Sequence, residues 1–514
     1  MTALLRNMAL LPVIVGWLGV AMLLPAGVAF STGDAPSGRA FLYSAILVVV
    51  TAVFLGVASG APGARRTRAR RMLDDPLAVV ILSYAVLPPL MAVPLTEAVA
   101  DLELSRAWFE MVSSFTTTGA SVFDSPRRVP DAVHLWRATV GWLGGAFVLV
   151  VAAALIAPVA RGDFLAHSDM KRREDAARDA ARLSPMRQDP ASASHVRLGH
   201  EVRVVLPVYV AVTGGLWIAL VVAGNPALLA VIQAMSTVST SGITMARGPG
   251  PAGFWAEALI LAGLVLALSR RGLPGARAPH DAPKVWRDPE LRLAAVLVLL
   301  VSGVLLLRHW LGAHGVGEGG NLRAAVQTLW GGLFTAVSFL STTGFVSQDW
   351  GVARAWSGVS PPGLILLGLA MTGGGVATTA GGLKLLRLHA LVLQGRRELD
   401  RVVYPSSVGG DGPQRRALRR DGAMAAWLIL MLFLFSTVAI VSALTLLGLR
   451  FEHALVYAIA AITTTGPLTE VAADVPLSWA GLGAGARAVL GLAMVLGRLE
   501  ILLVLTLFMG QARR

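Results

Sequence analysis

The sequence predicts an all-α polytopic membrane protein. Four pseudo-symmetric repeats, each a helix, a half-helix with its loop and a second helix, surround one centre, and two extra N-terminal helices precede them. Three observations carry that reading. The 514 residues are 55% hydrophobic and only 14% charged, and several uncharged runs approach or exceed the roughly 20 residues that cross a ~30 Å hydrocarbon core. Four stretches repeat one another: SSFTTTGAS from Ser113, MSTVSTSGIT from Met235, SFLSTTGFV from Ser338 and AAITTTGPL from Ala460. Each closes an apolar run with three small, mostly hydroxyl-bearing residues and a glycine: Gly119, Gly242, Gly344 and Gly466. The glycines are spaced by 123, 102 and 122 residues, which marks an internal repeat. Finally, the net charge of +14 collects in the segments between repeats, as the positive-inside bias of cytoplasmic loops requires.

Taken in order, the apolar run 8–30 is too long for a signal-peptide core and lacks a clear small-x-small exit, so it reads as a retained helix. A second run, 41–58, leads into the basic RRTRARR at Arg65. Residues 1–72 therefore hold two helices without later counterparts. The first repeat, 73–162, comprises runs 77–95, 108–119 and 138–160. Its middle run is too short to cross and ends in glycine, the pattern of a re-entrant half-helix beside water or buried in protein. Residues 163–202 form a charge-rich cytoplasmic linker. The second repeat, 203–290, has runs 204–223, 226–242 and 254–269, and the third, 291–398, has runs 293–307, 326–344 and 355–383. A basic loop, 399–421, leads to the fourth, 422–514, with runs 423–449, 453–466 and 489–510. About ten spanning helices and four half-helices result. Because each unit begins and ends on one face, all the basic segments fall together in the cytoplasm and the glycine loops open outward.

A dehydrated cation needs several oxygen ligands, and rings of backbone carbonyls supply them without fixed charge. Glycine permits the positive φ that turns successive carbonyls one way, and Thr and Ser hydroxyls add oxygens or hold the loop. A half-helix also points its negative dipole end at the cavity. The loops Thr116–Thr117–Thr118–Gly119, Ser239–Thr240–Ser241–Gly242, Ser341–Thr342–Thr343–Gly344 and Thr463–Thr464–Thr465–Gly466 thus read as one composite ring. The fold becomes four helix–pore loop–helix repeats around a central pore.

Two further stretches stand out. Gly373, Gly374, Gly375, Thr378, Thr379, Gly381 and Gly382 interrupt the run 355–383, and glycine in a helix costs about 1 kcal/mol relative to alanine. Either the backbone breaks there and lines a cavity, or small residues allow close helix packing. Arg498 and Glu500 lie inside the last apolar run, where a charge costs about 2.5–3.5 kcal/mol on insertion scales. Two residues apart, they do not face each other, so each needs a cavity or its own partner. Glu110, on the first half-helix, either braces its loop or biases the mouth toward cations. Asp124, Asp349 and Glu470, just beyond three loops, either bias the mouth or are solvated surface charge.

With these residues in view, the chain resembles the Trk/Ktr/HKT superfamily of potassium transporters. It is most similar to the membrane subunit (TrkH/TrkG type) of bacterial Trk potassium uptake. LWRATVGWLGGAF at Leu135, KVWRDPELR at Lys284, GGGVATTAGGLKLLR at Gly373 and LGRLEI at Leu496 extend the resemblance over nearly the whole chain. It implies potassium-selective uptake across the inner membrane through the four loops. Residues 373–382 would form an intramembrane gating loop with Lys384 at its cytoplasmic end, and Arg498 would project into the pore as a barrier to cations. The chain departs from that family in Ala377, where a glycine is usual, in Thr378 for a serine, and in a threonine-rich fourth loop. The resemblance also implies a homodimer with one pore per protomer and a cytoplasmic ring of nucleotide-binding (TrkA-type) subunits. K⁺ would be cargo, with no bound cofactor. A sodium-permeable or proton-coupled relative is the alternative.

Other chemistries lack their residues. With no cysteine there is no disulfide, thiolate metal site or Cys nucleophile, and nine histidines leave little for a metal centre. The stretch at Gly373 lacks the Gly-Lys-Ser/Thr ending of a phosphate loop. GLGAG at Gly481 follows no strand, and His200-Glu201 lacks the second His of a zinc-protease helix. The sequence does not predict an enzyme.

Overall fold

The computed structural model describes residues 10–60, 76–125, 129–152, 190–245, 248, 250–269, 288–315, 322–355, 363–376, 378–404, 413–473 and 475–499. The basic RRTRARR, most of the 163–202 linker, Ala377 and Glu500 lie outside these residues.

Two short helices, α1 (Leu10–Ala21) and α2 (Leu23–Ser31), form one apolar span that packs on α3 (Ala35–Gly60). Their inner face buries Val15, Leu18, Met22, Ala26 and Ala29 against Phe41, Ala45 and Trp136, tying the pair to the first repeat. That repeat is α4 (Pro76–Ala98), α5 (Leu104–Phe115) and α6 (Asp131–Val151). The second is α7 (Pro190–Val222), α8 (Ala227–Ser239) and α9 (Phe254–Leu268). The third is α10 (Pro289–Gly315), α11 (Leu322–Leu340), the short α12 (Trp350–Ala355) and α13 (Gly363–Thr372), followed by α14 (Leu385–Val403). The fourth is α15 (Pro413–Leu446), α16 (Phe451–Ile462), the single turn α17 (Leu468–Val471) and α18 (Ala484–Arg498).

The same contacts recur in each repeat. The first helix packs on its own half-helix: α4 on α5, α7 on α8, α10 on α11 and α15 on α16. The second helix packs on its own half-helix and on that of the next repeat: α6 on α8, α9 on α11, α13 on α16 and, closing the circle, α18 on α5. The four units are therefore arranged cyclically around one centre. One large core of small and aliphatic side chains fills the space between repeats, from Ala230 and Ala234 to Ala458, Ala460 and Ala461. Small residues are the means by which helices in an apolar solvent approach closely.

Among the described residues, seven helical segments are long and apolar enough to span a membrane, fewer than the ten expected. The difference lies in the second helices of repeats two to four. Helix α9 has 15 residues and stops at an extended Ser269, α13 has 10, and α18 has 15 up to Arg498. The third repeat's span is broken, as its glycine content suggested. Helix α7, by contrast, starts at Pro190, taking up the end of the charged linker.

Candidate functional site: a ring of four loops

The half-helices α5, α8, α11 and α16 all end in the same way. In the first loop the Thr117 N–H donates to Ser114 O and the Thr118 N–H to Ser113 O, at 2.9 and 2.8 Å. The pairs Thr240/Ser241, Thr342/Thr343 and Thr464/Thr465 repeat those bonds. This is the Schellman closure, which places one residue in the left-handed region, usually glycine. Here it is threonine every time: Thr117, Thr240, Thr342 and Thr464 have φ of 53–58°. A β-branched residue there is an outlier and costs about 1–2 kcal/mol. Below each left-handed residue the hydroxyls pair: Thr116 with Thr118 at 2.8 Å, Ser239 with Ser241 at 3.0 Å, Ser341 with Thr343 at 3.0 Å, and Thr463 with Thr465 at 3.2 Å. Every hydroxyl residue of the four loops is buried.

The glycines come next, and they touch. A methyl group on Gly119 would lie 2.1 Å from Ser241 O, and one on Gly242 would lie 2.1 Å from Thr343 O. One on Gly344 would meet the Pro467 ring at 3.0 Å, and one on Gly466 would meet Ala120 N at 2.3 Å. The loops thus close as one, two, three, four and back to one, and the Gly466 N–H donates to Thr118 O at 2.6 Å. Gly119, Gly242 and Gly344 have φ of 73°, 65° and 84°, whereas Gly466 is not left-handed. Positive φ and close approach both call for glycine at Gly119, Gly242 and Gly344, whereas at Gly466 close approach alone does. The cause is Pro467, because a residue before proline is pushed into extended conformations.

The loops are held from behind. Gly144 on α6 faces Phe115 O and Gly497 on α18 faces Ile462 O, where an added methyl would lie 2.0 and 2.1 Å away. Gly145 likewise seats Ser239, and Gly141 seats Ser241. These contacts account for the glycines of the LWRATVGWLGGAF and LGRLEI stretches. Nine residues before the glycines stand Glu110, Gln233, Thr335 and Tyr457, all polar. Glu110 accepts the Val122 N–H at 2.8 Å and pairs with Arg137 at 2.5 Å, so it braces its loop. Thr335 accepts the equivalent Ser347 N–H at 3.4 Å. The Glu110–Arg137 pair is fully enclosed, and such a pair holds geometry more than it adds stability. The third loop has an acidic brace from the preceding repeat: Glu257 on α9 accepts from the Gln348 N–H, the Ser347 hydroxyl and the Trp330 indole at 2.8, 2.9 and 2.6 Å.

Residues 373–384 lie against the helix end of this ring. The Gly381 N–H donates to Thr342 Oγ1 at 2.6 Å, and a methyl on Gly381 would fall 2.2 Å from Thr463 O. Thr379 Oγ1 donates to Val238 O at 3.3 Å. Arg498 completes the set, its Nε donating to Thr116 O at 2.6 Å and its Nη1 to Thr379 O at 2.5 Å. All four loops are thereby tied to this one segment. Gly373 and Gly382 are left-handed and back onto one another, while Gly374 and Gly375 pack on Ala267 and Leu268 at the end of α9. Thr378 Oγ1 bonds Gly375 O at 2.8 Å. Lys384, at φ 78°, donates to Ala380 O and starts α14.

The TrkH family model, described as a cation transport protein, matches residues 47–247 and 292–513. The chain belongs to the TrkH family. It is 27% identical over 497 residues to the Trk system potassium uptake protein TrkH of Salmonella typhimurium, spanning 95% of this chain and 94% of that one. To the Trk system potassium uptake protein TrkI of Halomonas elongata it is 28% identical over 438 residues, 84% and 80% of the two chains. The crystal structure of the potassium transporter TrkH from Vibrio parahaemolyticus shares the fold, with a TM-score of 0.76 at 22% identity over 98% and 97% of the chains.

In this TrkH-family transporter the structure brings together the sixteen loop residues, the 373–384 segment and Arg498. Asp124 and Asp349 accept hydrogen bonds from Ser478 and Gln327, and Glu470 is exposed. Sequence reasoning missed Glu257, Pro467 and Trp479. Glu257 had a usable signal, because a lone carboxylate in an apolar run requires a partner. Glycine packing yields a test. Gly144→Ala should destabilise the protein by about 1–3 kcal/mol through overpacking. Gly214→Ala, where a methyl meets nothing within 4 Å, should be neutral or stabilising by up to about 1 kcal/mol. Thermal unfolding in detergent compares them, and equal shifts would refute the seating role of α6.

Proposed function

We propose that this chain takes up K⁺ through the ring formed by residues 116–119, 239–242, 341–344 and 463–466. The observation that carries the reading is the closed ring itself: four helix C-termini converge on loops packed so closely that an added methyl on each glycine would meet the next loop, and loop four hydrogen-bonds loop one. Helix ends of that sign favour cations, and carbonyls in such a ring replace an ion's hydration shell. The names of the curated relatives support K⁺ as the cargo. Residues 373–384 act as the gate, and Arg498, bonded to both the gate and Thr116, opposes cation passage from below. Glu500 lies outside the described residues and is proposed only as a second charge on the same path. The repeats serve as the functional units, with boundaries at 73–162, 203–290, 291–398 and 422–514.

Liposomes containing the purified chain should pass K⁺ and Rb⁺ faster than Na⁺, and equal K⁺ and Na⁺ fluxes would sink the reading. Gly119→Ser places a side chain at φ 73° against Ser241 O. A strain of about 1–2 kcal/mol should erode the K⁺/Na⁺ ratio by roughly tenfold. Arg498→Ala should raise K⁺ flux.

The basic segments face the cytoplasm and the glycine loops the outside, supported by the charge bias. The chain has no cysteine, so Asp124→Cys offers one label site. An impermeant maleimide should reach it from outside intact cells, and labelling only after lysis would reverse the orientation.

The chain works as a homodimer of an inner-membrane Trk system, under a ring of nucleotide-binding TrkA-type subunits. Co-purification from native membranes should recover both, and a monomer without such a subunit would argue for autonomous gating.

A further inference from the structure

The ring is not equivalent at its glycine end. Among the described residues, the carbonyls of Gly119, Gly242 and Gly344 accept no hydrogen bond. The Gly466 carbonyl accepts three: from the Thr469 N–H at 3.3 Å, the Thr469 hydroxyl at 3.1 Å and the Trp479 indole at 3.3 Å. Thr469 is fully buried and Trp479 nearly so, and the indole is held between Phe109 and Tyr457. The fourth glycine therefore turns its oxygen into the protein. Pro467 takes up the vacated quadrant. Its ring lies 3.0 Å from where a methyl would stand on Gly344 of the adjacent loop and also on Gly242 of the loop opposite. With φ −62° and ψ −9° it starts α17, and that turn delivers Thr469 to the Gly466 carbonyl.

We propose that Pro467 is a specificity-determining residue that reduces the glycine end of the ring from four carbonyl ligands to three. The inference rests on the ring being the cation path. Proline acts twice. It bars Gly466 from the left-handed conformation of its three counterparts, and it fills the fourth quadrant with apolar ring carbons. A cation at that level meets three carbonyls and, in the fourth quadrant, apolar ring carbons that offer no ligand, so the hydration shell is replaced incompletely there. Discrimination that depends on replacing the hydration shell then falls to the deeper levels, where all four loops keep their left-handed threonines and paired hydroxyls.

Pro467→Ala removes the pre-proline restriction and the ring carbons. In liposomes it should lower KM for K⁺ by roughly three- to tenfold, the scale of one added oxygen ligand, and raise the K⁺/Na⁺ flux ratio. Trp479→Phe keeps the aromatic packing but removes one donor to Gly466, so it should shift both quantities the same way by less. If Pro467→Ala does not fold, Trp479→Phe decides alone. Unchanged KM and flux ratio at equal incorporation overturn the proposal. Crystals of the full chain grown with Rb⁺ give an independent reading by anomalous scattering. The outermost Rb⁺ should face Gly119, Gly242 and Gly344, with the Gly466 carbonyl still on Trp479. Four carbonyls at that level, or no Rb⁺ in the ring, would overturn it. A wild-type chain without K⁺ flux would sink the proposed function, while the Rb⁺ coordination would still test the three-ligand end.

Discussion

The structure depends on four chain reversals meeting at the middle of an apolar body. At each, a half-helix stops, bare backbone turns back, and its polar groups have no water to fall on. The Schellman closures of α5, α8, α11 and α16 satisfy the last helical carbonyls from within each loop. What remains is satisfied by neighbours: hydroxyl paired with hydroxyl, Glu110 on the Val122 N–H, Glu257 on the Gln348 N–H, and loop four on loop one. Four threonines held at positive φ cost about 1–2 kcal/mol each. Such strain persists only where surroundings over-determine the backbone. Those surroundings are the glycine-faced helices α6 and α18, which lie so close to Phe115 O and Ile462 O that no other residue would fit.

The same closeness joins the ring to the segment against its helix end. Gly381 bonds Thr342 and crowds Thr463, Thr379 bonds Val238, and Arg498 spans Thr116 and Thr379. The segment is anchored on its far side too, where the Val376 N–H donates to Glu290 at the start of α10 and Gly375 N–H donates to Ala267 O. Asp288 fixes that corner through Ser269 and the Glu290 N–H. This gives the KVWRDPELR stretch a physical role: it carries the carboxylates that hold the broken span. Displacement of residues 373–384 would break bonds to loop two, loop three and Arg498 together, so ring and segment act as one cooperative unit.

The ring was legible in sequence because its signal is local and repeated: a hydroxyl triplet and a glycine after each short apolar run. The order of the loops around the ring comes from the contacts between them. The left-handed threonines were not legible, since residue type points to glycine as the left-handed residue and only the helix-end hydrogen bonds place threonine there. Glu257 and Glu290 were missed for a related reason. Each accepts from a backbone N–H, 91 and 86 residues away, and although a lone carboxylate in an apolar run signals that it has a partner, a backbone donor leaves no mark in a sequence to say which. At α9 and α18 the apolar runs of the sequence continue past the last described helical residue, so the described helices hold only part of each run.

A ring built from four copies in one chain differs from a ring of identical subunits, because each copy is free to diverge. The divergence here follows the contacts. Loops one and two rest on the glycines of α6, and loop three is braced by Glu257. Loop four alone continues directly into a proline and a helical turn. Thr342 takes a hydrogen bond from the broken segment, whereas the buried hydroxyls of Thr117 and Thr464 have no partner among the described residues. Polar capacity is thus left over at two equivalent positions and spent at a third. The asymmetry at Gly466 and Pro467 lies at the opposite end of the same loops, so each end of the ring departs from fourfold equivalence through its own contacts. Four equal helix ends create the ring, and unequal neighbours decide which of its oxygens remain available to an ion.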